Sequence, residues 1–427
     1  MSRKFQRFIS EKKGNGLRST REIRAGELIY SAAPFSFCVS KPFIQSTCHS
    51  CLTRGDRMMR CSQCKMAHYC STKCQKEAWT QHRDECRCLT LIRPKIPTDS
   101  VRLTARIIFR LLKSPTADAD ELYSITEHQS HLEQMSGEMR SGLVDLCSML
   151  RIFLDSVDVS ELPAGLDPLG VLARVVCNCF SISDGELQDV GVALYPSLSL
   201  LNHDCRPNCV MMFVGTKLQL RAVRDTHTAE ELCISYTDVL APRAERHAHL
   251  TQQYHFLCQC HRCNDEQSDR TLLEGEESDW MKLSDSLSHL EKLRSEHKWA
   301  ELLTESQALI GSHSSAVPDT NMHMLRVLDT AMDAAISLDQ YDVALQYGRR
   351  TLEPYRLHYP DPHPSRAVEL LRVAKLQHYT GDVEEAERNF RQAYEVMKVT
   401  HGDEHVLLSE VRRKLDECEA ELRRSSP

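Results

Sequence analysis

Seven cysteines and one histidine between residues 48 and 86 have the spacing of zinc ligands. An x2 pair lets one tight turn direct both thiolates at a metal ion, and an x3 pair places two ligands on one face of a helical turn. We call residues 48–86 the cysteine-rich finger and expect two closed, structural zinc sites in it, interleaved along the chain. Their ligands are expected to be Cys48, Cys51, Cys70 and Cys74 for one zinc, and Cys61, Cys64, His82 and Cys86 for the other.

Zinc would also account for the stability of so short a segment. About forty residues bury too little apolar surface to fold alone, whereas a structural zinc contributes roughly 10–16 kcal/mol in apparent terms. Because neither site has an open coordination position, hydrolytic chemistry at the finger is not expected.

A second cluster, Cys258-x-Cys260-x2-Cys263, offers three thiolates, and a structural zinc needs a fourth ligand. His261 lies between two of these ligands and would close a strained ring, so a donor distant in sequence is favoured. Spacing alone leaves several such donors open, three of them in the stretch "LLNHDCRPNC" at residues 200–209. The candidates are His203, Cys205, Cys209 and Cys233.

The bulk composition indicates a soluble protein of a reducing compartment. The 427 residues are 41% hydrophobic and 26% charged, and nineteen of them are cysteine. The first residues carry basic side chains without the apolar core of a signal peptide, and no run approaches the length of a membrane span. Since disulfides are rare in the cytosol and nucleus, we expect this chain there, without membrane contact, and its cysteines mainly as metal ligands.

The elements that must position these residues differ along the chain. Short strands and turns are predicted in residues 1–46, on either side of "RAGE", and again in residues 190–237. Gly14 and Gly16, in "GNG", indicate either a close backbone approach or a plain turn. Helical periodicity dominates from about residue 97 to 180 and from residue 272 onward.

The final helical part, which we call the helical tail (residues 272–427), contains a 42-residue repeat. Its landmarks align in register: Trp299, Tyr341 and Val383; Leu302, Ala344 and Ala386; His363 and His405. A period of this size is typical of stacked helix pairs similar to tetratricopeptide (TPR) repeats, which form concave binding surfaces. Chance periodicity is the alternative.

The net charge of −7 hides an asymmetry between the finger and the tail. Residues 41–95 carry 11 Lys and Arg against 4 Asp and Glu, whereas residues 272–427 carry 19 against 29. Either pattern is a solvated surface or a means of steering partners, and the sequence leaves both open.

Six motifs occur in the order found in one known family: "GNG", "RAGE", "HYCSTKCQKEAWTQHRDEC", "NHDCRPNC", "EELCISY" and "CQCHRC". Together they resemble the SET and MYND domain-containing lysine methyltransferases, over nearly the whole chain. The resemblance implies an α+β fold with a β-rich SET domain, an inserted zinc-binding MYND finger, a helical insert, a post-SET zinc site and an all-α helical-repeat (TPR-like) C-terminal domain. The corresponding segments are 1–46 (SET N-terminal part), 48–86 (MYND finger), 95–180 (helical insert), 181–240 (core SET), 241–268 (post-SET) and 272–427 (TPR-like).

The resemblance also implies the site residues. Cys205 becomes the fourth ligand of a third zinc, with Cys258, Cys260 and Cys263, and Tyr236 becomes the catalytic residue that orients the lysine amine. Phe180 and Tyr254 line the lysine channel together with Tyr236. The positions expected to bind S-adenosylmethionine are Lys13, Asn15, Tyr123, His131, Asn178, Ser199, Leu201, Asn202, His203, Tyr236 and Phe256.

Three positions depart from the family pattern. Asp204 stands where a serine is usual, beside the expected cofactor asparagine and a zinc thiolate. Ala229 replaces a glycine, and if its φ is positive, the strain is on the order of 1 kcal/mol. Lys13 stands where an arginine is expected, which removes a bidentate donor.

The function implied is S-adenosylmethionine-dependent methylation of histone or non-histone protein lysines. The alternative is a non-catalytic scaffold that recruits partners in transcriptional regulation, but retention of Asn202 and Tyr236 favours the enzyme. Proline-rich peptides at the finger, and a chaperone or another protein at the tail, are the further partners considered for a monomeric chain. Direct DNA contact has little support because the basic finger has no recognition-helix motif.

Overall fold

In this computed structural model, residues 3–113, 122–265, 267 and 269–425 are described. The expected segments also include residues 1–2, 114–121, 266, 268 and 426–427, which lie outside that description. The strands are β1 (Phe5–Ser10), β2 (Gly14–Ser19), β3 (Leu28–Ala32), β4 (Ser36–Val39), β5 (Met59–Arg60), β6 (His68–Tyr69), β7 (Phe180–Ser183), β8 (Asp189–Leu194), β9 (Asn202–His203), β10 (Cys209–Val214), β11 (Lys217–Ala222) and β12 (Cys233–Ile234).

Helices dominate the middle and the end of the chain. They are α1 (Thr72–Leu91), α2 (Asp99–Lys113), α3 (Gly137–Phe153), α4 (Pro168–Asn178), α5 (Arg243–Tyr254), α6 (His261–Asn264), α7 (Glu277–Ser295), α8 (Trp299–His313), α9 (Met322–Ser337), α10 (Tyr341–His358), α11 (Pro364–Tyr379), α12 (Val383–Thr400) and α13 (Val406–Ser425). Short 3-10 helices lie at Lys41–Phe43, Ile125–Glu127 and Pro196–Leu200. None of the described helices combines the length and apolarity needed to cross a bilayer.

The N-terminal strands pair with strands that are distant in sequence. β1 pairs with β2, whereas β3 joins β11 and β10 in a second antiparallel sheet, and β4 joins β8 and β7 in a third. Strands therefore flank "RAGE" as expected, but they belong to different sheets. The first forty residues and the segment from 180 to 234 thus form one β-rich unit, which confirms the predicted α+β fold class.

A parallel pair positions the most important motifs. β9 and β12 pair in the same direction, with Asn202 opposite Cys233 and His203 opposite Ile234. Because the side chains of adjacent parallel strands lie in register, the residue two positions after β12 is brought beside the "NH" pair. That residue is Tyr236.

Helix α2 lies at the centre of the N-terminal half. Every residue from Val101 to Phe109 is buried, including two arginines, and the helix packs against α4, α3 and β4. A helix buried all round must supply partners for any charge it carries. Arg102 and Arg106 therefore need acidic neighbours, which the finger provides.

The helical tail follows the predicted period in its helix starts. Helices α8, α10 and α12 begin at residues 299, 341 and 383, and α9, α11 and α13 begin at 322, 364 and 406, in each case 42 residues apart. The repeated landmarks Leu302, Ala344 and Ala386 are all fully buried. The period therefore has a packing cause, because each landmark fills the same place between successive helices.

Candidate active site and zinc centres

The first predicted zinc centre is assembled by the finger. The sulfur atoms of Cys48, Cys51, Cys70 and Cys74 all lie within 4.8 Å of one another, with Cys51 Sγ 3.6 Å from Cys70 Sγ. Zinc–sulfur bonds of about 2.3 Å in a tetrahedron separate the sulfurs by about 3.8 Å. The four thiols therefore fit one zinc ion, and the structure brings the predicted set together.

One local expectation for this centre is wrong. Cys70 and Cys74 do not lie on one helical turn, because α1 begins at Thr72 and Cys70 precedes it. Ser71 is the N-cap, and its hydroxyl accepts from the backbone N–H of Cys74 at 3.1 Å. The x3 spacing thus spans a helix N-terminus, which brings the two sulfurs 3.5 Å apart.

The second centre is buried within the finger, next to Glu85, which contacts α2. Cys61, Cys64, His82 and Cys86 lie within 4.8 Å of one another, and all four are buried. His82 and Cys86 do share a turn of α1, as predicted, and His82 Nε2 lies 3.6 Å from Cys64 Sγ. The four groups fit a second closed zinc site.

A buried carboxylate supports this second centre from behind. Glu85 lies 3.5 Å from His82 Nδ1 and forms ion pairs with Arg102 at 3.0 Å and Arg106 at 2.8 Å. Burial opposes the charge of Glu85, but the two guanidinium groups hold the pKa of the carboxyl well below its usual range. The carboxylate therefore orients the zinc-ligand histidine and balances the charge of both buried arginines of α2.

The third centre takes one cysteine from residues 200–209, the stretch that holds three of the candidate donors. Cys205, Cys258, Cys260 and Cys263 lie within 4.8 Å of one another, and Cys205 Sγ is 3.5 Å from Cys263 Sγ. Of the alternatives, Cys209 is buried in the main core, and His261 is exposed at the start of α6. Cys233, another candidate, is also buried and lies outside the metal cluster.

Aromatic side chains join this third centre to Tyr236. The Tyr236 ring lies 4.7 Å from that of Tyr254, at the end of α5, and 6.4 Å from that of Phe256. These three rings pack on the small core that contains the ligands Cys205, Cys258 and Cys263. The zinc-held segment thus covers Tyr236 with the two aromatic residues that were expected there.

Hydrogen bonds fix both the hydroxyl and the backbone of Tyr236. Its hydroxyl donates to the carbonyl oxygen of Leu201, and its backbone N–H donates to His203 Nδ1 at 2.9 Å. Burial raises the pKa of the phenol above its ordinary value, so the hydroxyl is protonated at neutral pH. It can orient a reacting group by hydrogen bonding but cannot act as a base.

His203 has both ring nitrogens occupied within the protein. Nδ1 accepts from Tyr236, and Nε2 lies 3.2 Å from Cys205 Sγ. Burial lowers the pKa of His203 to about 4, so the ring is neutral. Its side chain therefore couples Tyr236 to the third zinc centre, while its carbonyl oxygen accepts from Lys13 Nζ at 3.3 Å.

The expected cofactor residues near the N-terminus meet the "NH" pair through Glu231. Asn202 Nδ2 donates to Glu231 at 2.8 Å and to the carbonyl oxygen of Asn15 at 3.2 Å. Glu231 also forms an ion pair with Lys13 at 3.0 Å. A Cβ at Gly16 would approach Asn202 Nδ2 to 2.9 Å, so the glycine indicates a close approach, not a plain turn.

Arg7 organises the other side of this region and was not identified from the sequence. It donates to Asn15 Oδ1 at 3.1 and 3.2 Å, pairs with Glu127 at 2.7 Å, and stacks 4.8 Å over the Tyr123 ring. Glu231, the other missed residue, is the second residue of the "EELCISY" motif, two positions before β12. No local pattern marks either residue, because their partners are more than one hundred positions away or in another motif.

The remaining predicted residues form two smaller groups. Asn178 donates to the carbonyl oxygens of Gln129 and Arg174 and accepts from Ser199 at 3.3 Å, while the His131 ring lies 5.0 Å from that of His255. The Phe180 ring packs edge-on against Tyr195 at 5.7 Å. Contacts with a cofactor or a lysine therefore stay predictions for all of these residues.

Only one of the three departures, Asp204, has a local explanation. Asp204 Oδ1 accepts from the backbone N–H of Arg206 at 2.8 Å, an Asx turn that gives the carboxylate a structural use. Ala229 has φ 68°, so the expected left-handed conformation is present. Lys13 keeps a positive charge where the family has an arginine, but that charge is already paired with Glu231.

Comparison with known proteins assigns the chain to a family. A family model described as SET domain matches residues 14–237. Histone-lysine N-methyltransferase SMYD3 of Homo sapiens is 42% identical over 424 residues, which make up 99% of this chain and 99% of that relative. The chain belongs to the SMYD family of SET-domain proteins.

Other SMYD relatives extend the similarity along the whole chain. N-lysine methyltransferase SMYD2-A of Xenopus laevis is 30% identical over 96% of this chain and 98% of its own length, and Smyd1 of Mus musculus is 31% identical over 97% and 89%. The motif resemblance, including that to SET and MYND domain-containing protein 3, is confirmed. A crystal structure of the SET domain of LSMT bound to lysine and AdoHcy covers 96% of this chain and 91% of that one, at 12% identity and a TM-score of 0.35, too low to establish a shared fold by itself.

Proposed function

We propose that this chain transfers a methyl group from S-adenosylmethionine to the side-chain amine of a protein lysine. The observation that carries the proposal is the meeting of Tyr236, Asn202 and His203 through the parallel pairing of β9 and β12, beneath Tyr254 and Phe256. The SMYD relatives, which are named lysine methyltransferases, support the same activity.

The protein must first prepare the lysine. A lysine side chain has a pKa of about 10.4, so at neutral pH its amine is protonated and has no free lone pair. Burial between aromatic rings favours the neutral amine, and the proton leaves to solvent. Tyr254 and Tyr236 supply such a surface, and their ring faces also attract the methylammonium product.

S-adenosylmethionine supplies an electrophilic methyl carbon on a sulfonium. A nitrogen–carbon bond forms as the carbon–sulfur bond breaks, leaving S-adenosylhomocysteine and a methylated ammonium. The Tyr236 hydroxyl and the Leu201 carbonyl oxygen, joined by a hydrogen bond, orient the amine for attack in line with the departing sulfur. Asn202 and Asn15, which Glu231 and Arg7 hold in position, bind the polar parts of the cofactor.

Tyr236→Phe tests this proposal. With radiolabelled S-adenosylmethionine and histones or a cell extract as substrate, the unaltered chain should label lysines. The variant should lose about two orders of magnitude or more in rate, as expected when a positioning group misaligns reactants. Calorimetric titration with S-adenosylmethionine measures cofactor binding separately.

Tyr394→Phe is the matched control because Tyr394 packs on the core of the helical tail, away from the proposed site. It should retain full activity. Absence of cofactor binding by the unaltered chain, or equal labelling by Tyr236→Phe, would contradict the proposed mechanism.

The finer partners and locations belong to the same proposal. The exposed Trp79 of α1 and Met59 of β5 give the finger an apolar surface suited to proline-rich peptides. The TPR-like tail, with 29 Asp and Glu against 19 Lys and Arg, is proposed to bind a chaperone or another protein, and weak DNA contact is left to the basic finger. A nuclear and cytosolic location agrees with nineteen cysteines that form no disulfide, and a role in chromatin regulation rests on the relatives that are named histone-lysine methyltransferases.

We propose the same segment boundaries that the family resemblance implies. The finger at 48–86 ends inside α1, and the post-SET segment at 241–268 contains α5, α6 and three zinc ligands. The remaining segments, 1–46, 95–180, 181–240 and 272–427, follow the change from strands to helices and back.

A further inference from the structure

A pair of tyrosines on the helical tail lies outside the proposed active site. Tyr341 begins α10 and Tyr379 ends α11, and their rings meet edge to face with centroids 4.5 Å apart and planes at 62°. Together with Asp339, Gln340 and Asp342 they line an open cleft of about 420 Å³. We call this the Tyr341–Tyr379 cleft.

Packing accounts for only one member of the aromatic pair, because Tyr341 contacts the core of the helical tail whereas Tyr379 is largely exposed. Tyr379 is 72% exposed, the largest exposure among the aromatic residues of the described chain. The 42-residue register places Trp299 and Ser337 at the equivalent positions of the preceding repeat, and Val383 and Glu421 at those of the next. The neighbouring repeats keep the buried landmarks, but neither of them has aromatic residues at both positions equivalent to Tyr341 and Tyr379.

The acidic residues around the two rings favour a positively charged ligand. The exposed Asp339 accepts from the Tyr341 hydroxyl at 2.7 Å, and the carboxylate of Asp342 is exposed and forms no ion pair with any described residue. Asp342 lies in the first turn of α10, where a carboxylate also favours the helix. That role does not explain the exposed ring faces beside it.

Aromatic faces and carboxylates together suit a methylated ammonium. The ring faces attract a cation and give its methyl groups an apolar contact, while a carboxylate accepts a hydrogen bond from any N–H that remains. An unmethylated lysine is more strongly hydrated and gains less from the rings. Two rings with two acidic residues therefore favour a mono- or dimethylated lysine.

We infer that the Tyr341–Tyr379 cleft binds the methylated lysine side chain of a protein, away from the site of methyl transfer. The link to this chain's own product rests on the proposed function, but binding at the cleft does not. A product held there would stay near the enzyme while a second lysine of the same protein enters the active site.

The test observes the two tyrosines directly. The full chain is labelled with 3-fluorotyrosine, and the fluorine resonances of Tyr341 and Tyr379 are assigned by their absence from Tyr341→Phe and Tyr379→Phe. Short peptides that differ only in one residue, dimethyllysine, lysine or glutamine, are then titrated. The dimethyllysine peptide should shift both resonances saturably, the lysine peptide should bind more weakly, and the glutamine peptide should leave them unmoved.

Asp342→Asn should weaken binding of the dimethyllysine peptide about three- to fivefold. Asp416 of α13 is also exposed, and Asp416→Asn should leave that binding unchanged. Unmoved resonances at millimolar peptide, or equal binding of the lysine or glutamine peptide, would overturn the inference. Methyl transfer to a short peptide, measured for Tyr379→Ala beside Ile152→Ala as an exposed control, should be unchanged. If the cleft does not bind the dimethyllysine peptide but methyl transfer is intact, only this inference is contradicted. If the cleft binds the peptide but methyl transfer is absent, only the proposed function is contradicted.

Discussion

Ala229 carries a backbone conformation that one substitution can test. Its φ of 68° costs a residue with a Cβ roughly 1–2 kcal/mol. Glycine removes that strain but gains freedom in the unfolded chain worth about 0.4–1 kcal/mol. We expect Ala229→Gly to raise the free energy of unfolding by a net ~0.5–1 kcal/mol, measured by urea denaturation.

The control is an alanine in an ordinary helical conformation. Ala300 is exposed in α8, where glycine should lower stability by about 1 kcal/mol. If Ala229→Gly destabilises the chain as much as Ala300→Gly does, the left-handed conformation carries no strain and the interpretation is wrong.

At the scale of elements, Glu85 fastens the finger to α2. The carboxylate contacts the zinc-ligand histidine of its own helix and both buried arginines of the next one. Arg102 extends the chain of contacts to the Val39 carbonyl oxygen of β4 at 2.8 Å. Removal of one partner from a buried ion pair leaves an uncompensated charge, which costs about 3–5 kcal/mol.

Glu85→Gln should therefore lower the free energy of unfolding by that amount and release one zinc faster to a chelating dye. Glu77→Gln, on the exposed face of the same helix, is the control, since its pairing with Lys73 at 3.9 Å contributes little. Equal zinc release from both variants would remove Glu85 from any supporting role at the metal site.

The third zinc centre holds the post-SET segment over Tyr236, so metal loss there should reach the active site. Cys205→Ser should reduce zinc from three ions to two per chain by elemental analysis. Without this tether, Tyr254 and Phe256 lose their anchor, and the KM for a lysine peptide should rise. The physical reason is that metal coordination supplies the ordering energy of a segment with so small a core.

Cys209→Ser is the matched control because Cys209 is buried four residues away and is outside the metal cluster. It should cost some stability but keep three zinc ions. Retention of three zincs by Cys205→Ser, or loss of one by Cys209→Ser, would reverse the ligand assignment.

At the scale of the molecule, the turn between α12 and α13 packs against the SET sheet. His401 and His405 lie there with ring centroids 4.8 Å apart, next to Arg221 of β11, and the acidic Asp403 and Glu404 also face Arg221. Burial, with His405 and Arg221 adding to it, lowers the pKa of His401 to about 3. The contact between the tail and the SET sheet thus depends on a neutral histidine.

The sign of the pH dependence follows from that lowered pKa. Between pH 6.5 and 3 the unfolded chain binds a proton at His401 that the folded chain does not, so stability is full above about 6.5 and falls as pH drops, by up to ~1.4 kcal/mol per pH unit. His401→Gln should show a shallower loss of stability from pH 7 to pH 5 than the unaltered chain. Urea denaturation at each pH measures the difference.

His289→Gln provides the comparison, because His289 is an exposed histidine paired with Glu305. The slope of its free energy of unfolding against pH should match that of the unaltered chain. Because both variants keep the zinc thiolates, the comparison also removes the effect of acid on those thiolates. An unchanged slope for His401→Gln would mean that His401 is protonated in the folded protein.

The sequence by itself determined the zinc ligands of the finger, the repeat of the tail and the motifs of the family. Each of these rests on spacing within a short stretch or on a regular period, which local geometry turns directly into structure. Cysteine pairs with x2 spacing must point the same way, and the landmarks 42 residues apart must fill the same place between helices.

Only the tertiary structure decided which distant groups meet. Spacing left Cys205 among several candidate ligands, the family resemblance singled it out, and only the fold brings it to Cys258, Cys260 and Cys263. Glu231 and Arg7 acquired their roles from partners elsewhere in the chain. The pairing of β3 with β11 and of β9 with β12 joins segments that lie far apart in the chain. Such contacts depend on the packing of the whole core, which no short window of residues encodes.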